Sequence, residues 1–231
     1  LNDVGEQSDQ LPVLQHALMR SWERRVALSH GTATEVDLED YESVGTMANA
    51  LSNHADEVLD ALEQQEDSAI RGTVRRLFKT LTERGDDNRG VRRPTRLSDL
   101  AAITGAPVET LTAIIDAYRA PGRTFLMPSA DTPLDAGTFI DISHESLMRV
   151  WQRLRRWVAD EAQSVRIYRR LSDTASLWSQ GEAGLYRDPD LQIAMGWVET
   201  EHPNAAWGAR FDGDYDVALS FLKQSGEAQH A

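Results

Sequence analysis

Apolar residues recur at helical spacing near the start of the chain. Leu14, Leu18 and Trp22 repeat every four positions, with Val13, Ala17 and Val26 near the same face. This predicts an amphipathic helix over 11–28. Leu11-Pro12 opens it, because a proline in a first turn forfeits no helical hydrogen bond. A short helical turn follows at 37–41. A second amphipathic helix is expected over 47–62, with Leu51, Val58 and Leu62 inward and His54 partly exposed. From 67 the rhythm changes. Ile70, Val74, Leu77, Phe78 and Leu81 mark a helix, and a polar stretch over 83–90 reads as a solvated turn. A short strand is expected within 92–97, and a short helix over 98–104 with Ser98 as its cap. Another helix is expected over 107–118, with Leu111, Ile114 and Ile115 inward. Strands at 125–127 and 139–142 flank a Pro/Asp/Gly-rich turn at 128–137.

Helix, strand, helix, helix, strand, turn, strand is the order of a winged-helix unit. Beyond it, neither glycine nor proline occurs between His144 and Gly181, while Val165, Tyr168, Leu171, Ala175 and Trp178 keep the helical rhythm. One very long helix, or two nearly in line, is expected there. Arg149, Arg153, Arg155 and Arg156 form a basic run, read as a solvated face with partners such as Asp160 and Glu161. A loop at 181–189 leads to helices over 191–200 and 215–222, and the tail 225–231 reads as frayed. Gly196 weakens the helical pattern of 191–200. The fold class is therefore mainly α in three parts. These are a helical region at 1–65, a winged-helix domain with a small β-sheet at 66–144, and a C-terminal helical region at 145–231 led by a long helix.

Composition narrows the function. With 41% hydrophobic residues, 231 residues can build a substantial core. A formal net charge of −13 argues against sequence-independent nucleic-acid binding, which depends on Lys and Arg releasing counterions from phosphates. Without cysteine, neither disulfides nor thiolate metal sites are possible. No apolar run approaches the ~20 residues a membrane span needs. The first residues lack a start methionine, which suggests a piece of a larger protein.

Candidate chemistry concentrates at residues 139–151, where an apolar strand runs into a helix. Ser143 is the expected N-cap, which puts His144 in a first turn whose N–H groups and dipole favour an anion. A packed or capping histidine is the ordinary alternative. Asp141 and Glu145 place negative charge nearby, and Asp141 is expected to pair with an arginine. There is no phosphate loop, no G-x-G-x-x-G turn, no nucleophile elbow and no close histidine pair of the helical zinc type. The chain reads as non-catalytic by itself. A winged helix raises DNA binding as a rival. The helix at 107–118, which would enter the groove, carries Glu109 and Asp116 and no Lys, Arg, Asn or Gln; Arg119 and Arg123 lie just outside it.

Leu11-Pro12-Val13-Leu14-Gln15-His16-Ala17-Leu18 with Trp22-Glu23-Arg24, then Tyr41 to Gly45, the run at 50–57, and the run at 142–151 followed by 153–157, form a distinctive series that extends through Tyr168 and Trp178. Together these stretches resemble the C-terminal half of a bacterial STAND-type signal-transduction NTPase. The resemblance implies an AAA+-like nucleotide-binding core upstream, then a helical region, then a winged helix. An N-terminal effector and C-terminal sensor repeats, commonly a β-propeller, are often fused to these parts. It implies ADP or ATP with Mg as cofactors of the longer protein, itself an ATPase, and none held tightly by this chain. His144 matches the winged-helix histidine that touches the β-phosphate of ADP in related proteins. Pro12 matches the proline of a G-x-P motif that packs near the nucleotide, with Gln10 at the glycine position. The implied partners are the upstream core and neighbouring effector and sensor domains, with self-assembly on activation and a cytoplasmic location. Neither nucleic acid nor membrane is implied. A purely structural scaffold between effector and sensor is a third reading.

Overall fold

The computed structural model describes residues 10–31, 35–65, 69–85 and 90–230. The change of rhythm at 67 and the tip of the polar stretch at 86–89 lie outside the described residues. So does Asp9, ahead of the G-x-P match.

The fold is mainly α. Helix α1 (Gln10–Leu28) packs on α3 (Thr46–Gln65), and α2 (Leu38–Ser43) bridges them. A capping box starts α2: the Asp37 carboxylate accepts from Asp40 N, and Asp37 N donates back to the Asp40 side chain. Helix α4 (Ala69–Thr80) leads into a hairpin of β1 (Thr82–Arg84) and β2 (Gly90–Arg92), so the expected solvated turn contains paired strands at both ends. A second sheet has the order β3 (Thr95–Arg96), β5 (Phe139–Ile142), β4 (Leu126–Met127), all antiparallel. Thr95 pairs with Ile140, and Leu126 with Ile142. Between β3 and β4 lie α5 (Leu97–Thr104) and α6 (Val108–Arg119). Gly105, with φ +70, ends α5 in the left-handed conformation that costs glycine least. The predicted succession of elements over 69–142 is thus present, with the extra hairpin.

After β5, α7 (Glu145–Val150) is followed by α8 (Gln152–Ser179), then α9 (Asp190–Glu201), α10 (Ala205–Gly208) and α11 (Tyr215–His230). Two hydrophobic cores result. The first joins Leu51, Val58 and Leu59 of α3 to Phe78, Leu100, Ile114, Tyr118, Ile142 and Trp151. The second joins Tyr168 and Leu171 of α8 to Leu191, Trp197, Trp207 and Phe221. At 28 residues and ~1.5 Å rise per residue, α8 spans roughly 42 Å and contributes to both. Gly213 makes the close turn before α11, since a Cβ there would lie 2.0 Å from Ser172 Oγ.

The stretch after His144 takes the second of its two expected forms, two helices, because Trp151 (φ −70, ψ 104) leaves the helical conformation between α7 and α8. Several other expectations change. On α1 the buried face is Val13, Ala17 and Ser21; Leu18 is 50% and Trp22 44% exposed. Ser98 does not cap α5, whose N-cap is Arg96 without a side-chain bond. Gly196 leaves α9 unbroken, and the tail is helical through His230, with Ser225 buried against Tyr186 N. Within the basic run, Arg153 turns to another carboxylate than Asp160 or Glu161. Arg153 meets Asp56 at 3.0 Å, while Asp160 meets Arg75 and Glu161 meets Lys79 and Arg210. Among the described residues no single helix is long and apolar enough to cross a membrane. The pair α5 and α6 is apolar enough together but bends by 113° and buries Leu100, Leu111 and Ile114 in the core.

Candidate functional site

The strand-to-helix junction is anchored through its backbone and through Ser143. Ser143 N donates to Phe125 O at 3.0 Å, and Ser143 Oγ donates to Thr124 O at 2.6 Å. Ser143 is therefore spent on the neighbouring segment, and His144 takes the N-cap position (φ −140, ψ 136) without a side-chain cap bond. This corrects the expected Ser143 cap and moves His144 from the first turn to the residue before it. Helix α7 has only six residues, so its dipole is small, and what the junction offers an anion is the imidazole itself. The His144 ring is exposed. Asp141 is drawn aside by Arg92 at 3.0 Å, and Glu145 lies 3.8 Å from the same guanidinium. The two nearby carboxylates are thus partly neutralised.

His144 opens onto a cleft of ≈ 340 Å³ whose opposite wall is α1. Pro12, Gln15 and His16 form that wall; Phe125, His144 and Ser146 form the facing one. The two residues singled out from the sequence, Pro12 and His144, share one opening although 132 positions separate them (144 − 12). A larger groove of ≈ 630 Å³ between α9 and α11 is lined by Met195, Val198, Leu219 and Leu222; it is mostly apolar and remote from this chemistry.

Three residues beside His144 were not evident in the sequence. Ser146 is 4% exposed, and its Oγ has no hydrogen-bond partner among the described residues. His16 and His54, on α1 and α3, bring His16 Nε2 within 3.2 Å of His54 Nδ1. Both rings lie against Phe125, with centroids 5.6 and 5.2 Å away. His54 is 3% exposed, which corrects its expected partial exposure. Its burial is possible because the ring nitrogen finds His16 and the ring edge finds an aromatic face. The signal was the presence of two helical histidines; their partnership is tertiary.

Burial, then the Arg20 guanidinium, holds the His16 imidazole down at about 4, against a smaller opposing pull from Glu23. Burial, then Arg20, His16 and Arg123, holds His54 down at about 3. Both rings are therefore neutral in the folded chain near neutrality. An unfolded histidine titrates near ~6.5. Below that value the unfolded chain takes up protons that the folded chain refuses. The pair's contribution is therefore intact above pH ~6.5 and declines as pH falls toward the folded values. Urea unfolding at pH 7 and pH 5 should show a clear loss of stability at pH 5 in the wild-type chain. The double substitution His16→Phe, His54→Leu should reduce that loss. An identical pH dependence in both proteins would refute the assignment.

Among the described residues no cluster of three or more His, Asp or Glu is arranged to hold a metal ion. Residues 1–184 match the sequence model of the family described as novel STAND NTPase 1. No curated protein and no solved structure matches the chain. The match takes in α1 to α8 and both walls of the cleft, leaving α9 to α11 beyond it. With four-fifths of its length inside that match, the chain belongs to the novel STAND NTPase 1 family.

Proposed function

We propose that this chain is the regulatory segment of a STAND-type NTPase. In this reading it switches with ADP or ATP between an effector and a sensor, and is not catalytic by itself. Residues 66–144 act as a winged helix that faces protein rather than DNA. The longer protein supplies the phosphate loop, the Mg site and the ATPase chemistry from a nucleotide-binding core ahead of this segment. The observation that carries the reading is the convergence of His144 and Pro12 on one cleft. The residues present fit the phosphoryl end of a nucleotide: an exposed imidazole, an unpartnered buried hydroxyl and flanking carboxylates already engaged by Arg92.

The exposed face of α1 supports the same arrangement. Leu11, at 58% exposure, Leu18 and Trp22 lie on the helix that carries Pro12. An apolar stripe of this kind is suited to a neighbouring lobe. The groove-entering role that DNA binding would require is poorly served. Arg119 is buried, pairs with Asp116 at 2.7 Å and donates to the carbonyls of Ser129 and Thr132. It holds the loop after β4 and has no reach toward phosphates.

In the resting state, ADP spans the core and the winged helix, and His144 and Pro12 favour the closed arrangement. A nucleotide shifts that balance only by binding the two states with different affinity. One charge-assisted hydrogen bond lost from His144 corresponds to a dissociation rate ~10-fold higher. His144→Ala in the protein carrying the nucleotide-binding core should release ADP faster by that factor and raise basal signalling. Fluorescent-nucleotide chase kinetics measure the first effect. An unchanged off-rate together with unchanged basal output would leave the segment as a scaffold only. Cytoplasmic location and self-assembly on activation complete the proposal.

A further inference from the structure

Two groups in the cleft other than His144 lack a structural explanation. Ser146 Oγ is buried, lines the opening and has no partner among the described residues. A hydroxyl in that state costs stability, and a serine that only packed there would serve better as alanine. His16 lines the same opening, yet its Nε2 is turned to His54. The ring nitrogen left for the cleft is therefore Nδ1.

We infer that Ser146 and His16 are two further contacts to the phosphoryl oxygens of the ligand, and that His54 is a positioning residue that sets which nitrogen of His16 carries the proton. The inference rests on the nucleotide reading of the cleft. Its proton accounting is simple. In one neutral arrangement His54 Nδ1–H donates to His16 Nε2, so His16 carries its proton on Nδ1. In the other, His16 Nε2–H donates to His54 Nδ1, and His16 Nδ1 is a bare lone pair. Only the first presents an N–H to an oxyanion; the second presents a lone pair and repels it. Charging either ring instead is disfavoured by burial against Phe125 and by the Arg20 guanidinium, joined at His54 by Arg123; Glu23 opposes this only at His16. The pair therefore responds by exchanging tautomers together. His54 does not line the cleft, so it acts through His16.

Nitrogen-15 NMR of the imidazoles tests the coupling in this chain without nucleotide. Matched tautomers are expected, both rings Nδ1–H or both Nε2–H, and His54→Leu should change the tautomer ratio of His16. Unmatched tautomers, or a His16 ratio untouched by His54→Leu, would overturn the positioning role whatever the cleft binds. In the ADP-loaded longer protein both rings should carry their protons on Nδ1; finding them on Nε2 overturns the contact from His16. ADP dissociation then separates the remaining claims. Ser146→Ala and His54→Leu should each accelerate it ~10-fold, the effect of one lost hydrogen bond. His54→Asn places an amide where Nδ1 stood and should restore most of the retention. Ser146→Ala should leave the melting temperature unchanged or raised, which a structural hydroxyl would not do. If His144→Ala accelerates release and Ser146→Ala does not, the Ser146 contact is wrong. If neither does, the nucleotide reading has failed, while the NMR result still decides the role of His54.

Discussion

Trp151→Ala is expected to destabilise the chain by about 3–5 kcal/mol, the range for removing a large aromatic side chain from a packed core. Trp151 is fully buried at the break between α7 and α8. Its ring meets Phe78 edge-on with centroids 4.9 Å apart, Trp157 at 5.4 Å and Tyr118 at 6.0 Å. Its Nε1 donates to Asp56 Oδ1 at 2.7 Å, and Arg153 Nε meets the same oxygen at 3.0 Å. The indole thereby ties α3 to the start of α8. Alanine would open a cavity among three aromatic rings and leave Asp56 with Arg153 as its remaining partner. Because surrounding side chains relax only partly, the cavity adds to the lost transfer free energy. Trp151→Phe keeps much of the ring packing and should cost less than half as much. Urea unfolding followed by far-ultraviolet circular dichroism measures both. A lower midpoint at unchanged slope is expected. A loss below ~1 kcal/mol for alanine would show that the aromatic cluster is not a central support of the fold.

The break at Trp151 also shows where reading the sequence stops. Nothing between His144 and Gly181 interrupts helical spacing, and neither glycine nor proline marks the bend. The indole is committed to Asp56, 95 positions away, and that tertiary hydrogen bond coincides with the break. The apolar rhythm of α1 was equally legible, but the choice of buried face was not. Leu14, Leu18 and Trp22 outweigh Val13, Ala17 and Ser21 in hydrophobicity, yet Ala17 and Ser21 are small, and Ser21 Oγ satisfies itself on Ala17 O at 2.8 Å. A small-residue face suits the close packing of α1 on α3, and the larger residues are left outside. The tail at 225–231 read as frayed because it is small and polar. Ser225 and Gly226 instead lie against Tyr186 and Met195. At the site, Pro12 and His144 were legible through a family resemblance that residue patterns alone do not supply. Ser146 stood in plain view two positions from His144, but a serine's missing partner can be seen only once the fold surrounds it.

The ionic cluster between α4 and the C-terminal helices carries the second large expectation. Lys79, buried on α4, meets Glu161 Oε2 at 3.2 Å and Glu201 Oε2 at 2.8 Å. Glu161 also accepts from Trp207 Nε1 at 2.8 Å and meets Arg210 at 3.4 Å. Arg75 completes the group on Glu201 at 2.7 Å. Burial alone would raise the Glu201 carboxyl, but the hydrogen bond and charge of Lys79, joined by Arg75, hold it below the usual glutamate range. Its contribution is therefore complete above pH ~4.5, where an unfolded glutamate has ionised, and is lost as pH falls through the lower folded value. Burial similarly lowers the Arg210 guanidinium to about 10, against the pull of Glu161. Charges held this way gain little over a well-packed apolar pair, but breaking one partner leaves the other buried and uncompensated. Lys79→Met should thus cost about 3–5 kcal/mol. Adding Glu161→Gln removes the carboxylate that Lys79 no longer balances and keeps an acceptor for Trp207, but it also deprives the buried Arg210 of its carboxylate, so the double variant should lose less than the two single costs combined. The expected coupling is about 1–3 kcal/mol, read from a double-mutant cycle in urea. Strict additivity would mean that Lys79 and Glu161 do not act as a pair. Because Lys79 lies on α4 while Glu161, Glu201 and Arg210 lie on or beside α8, α9 and α10, the predicted loss falls on the joint between the two cores.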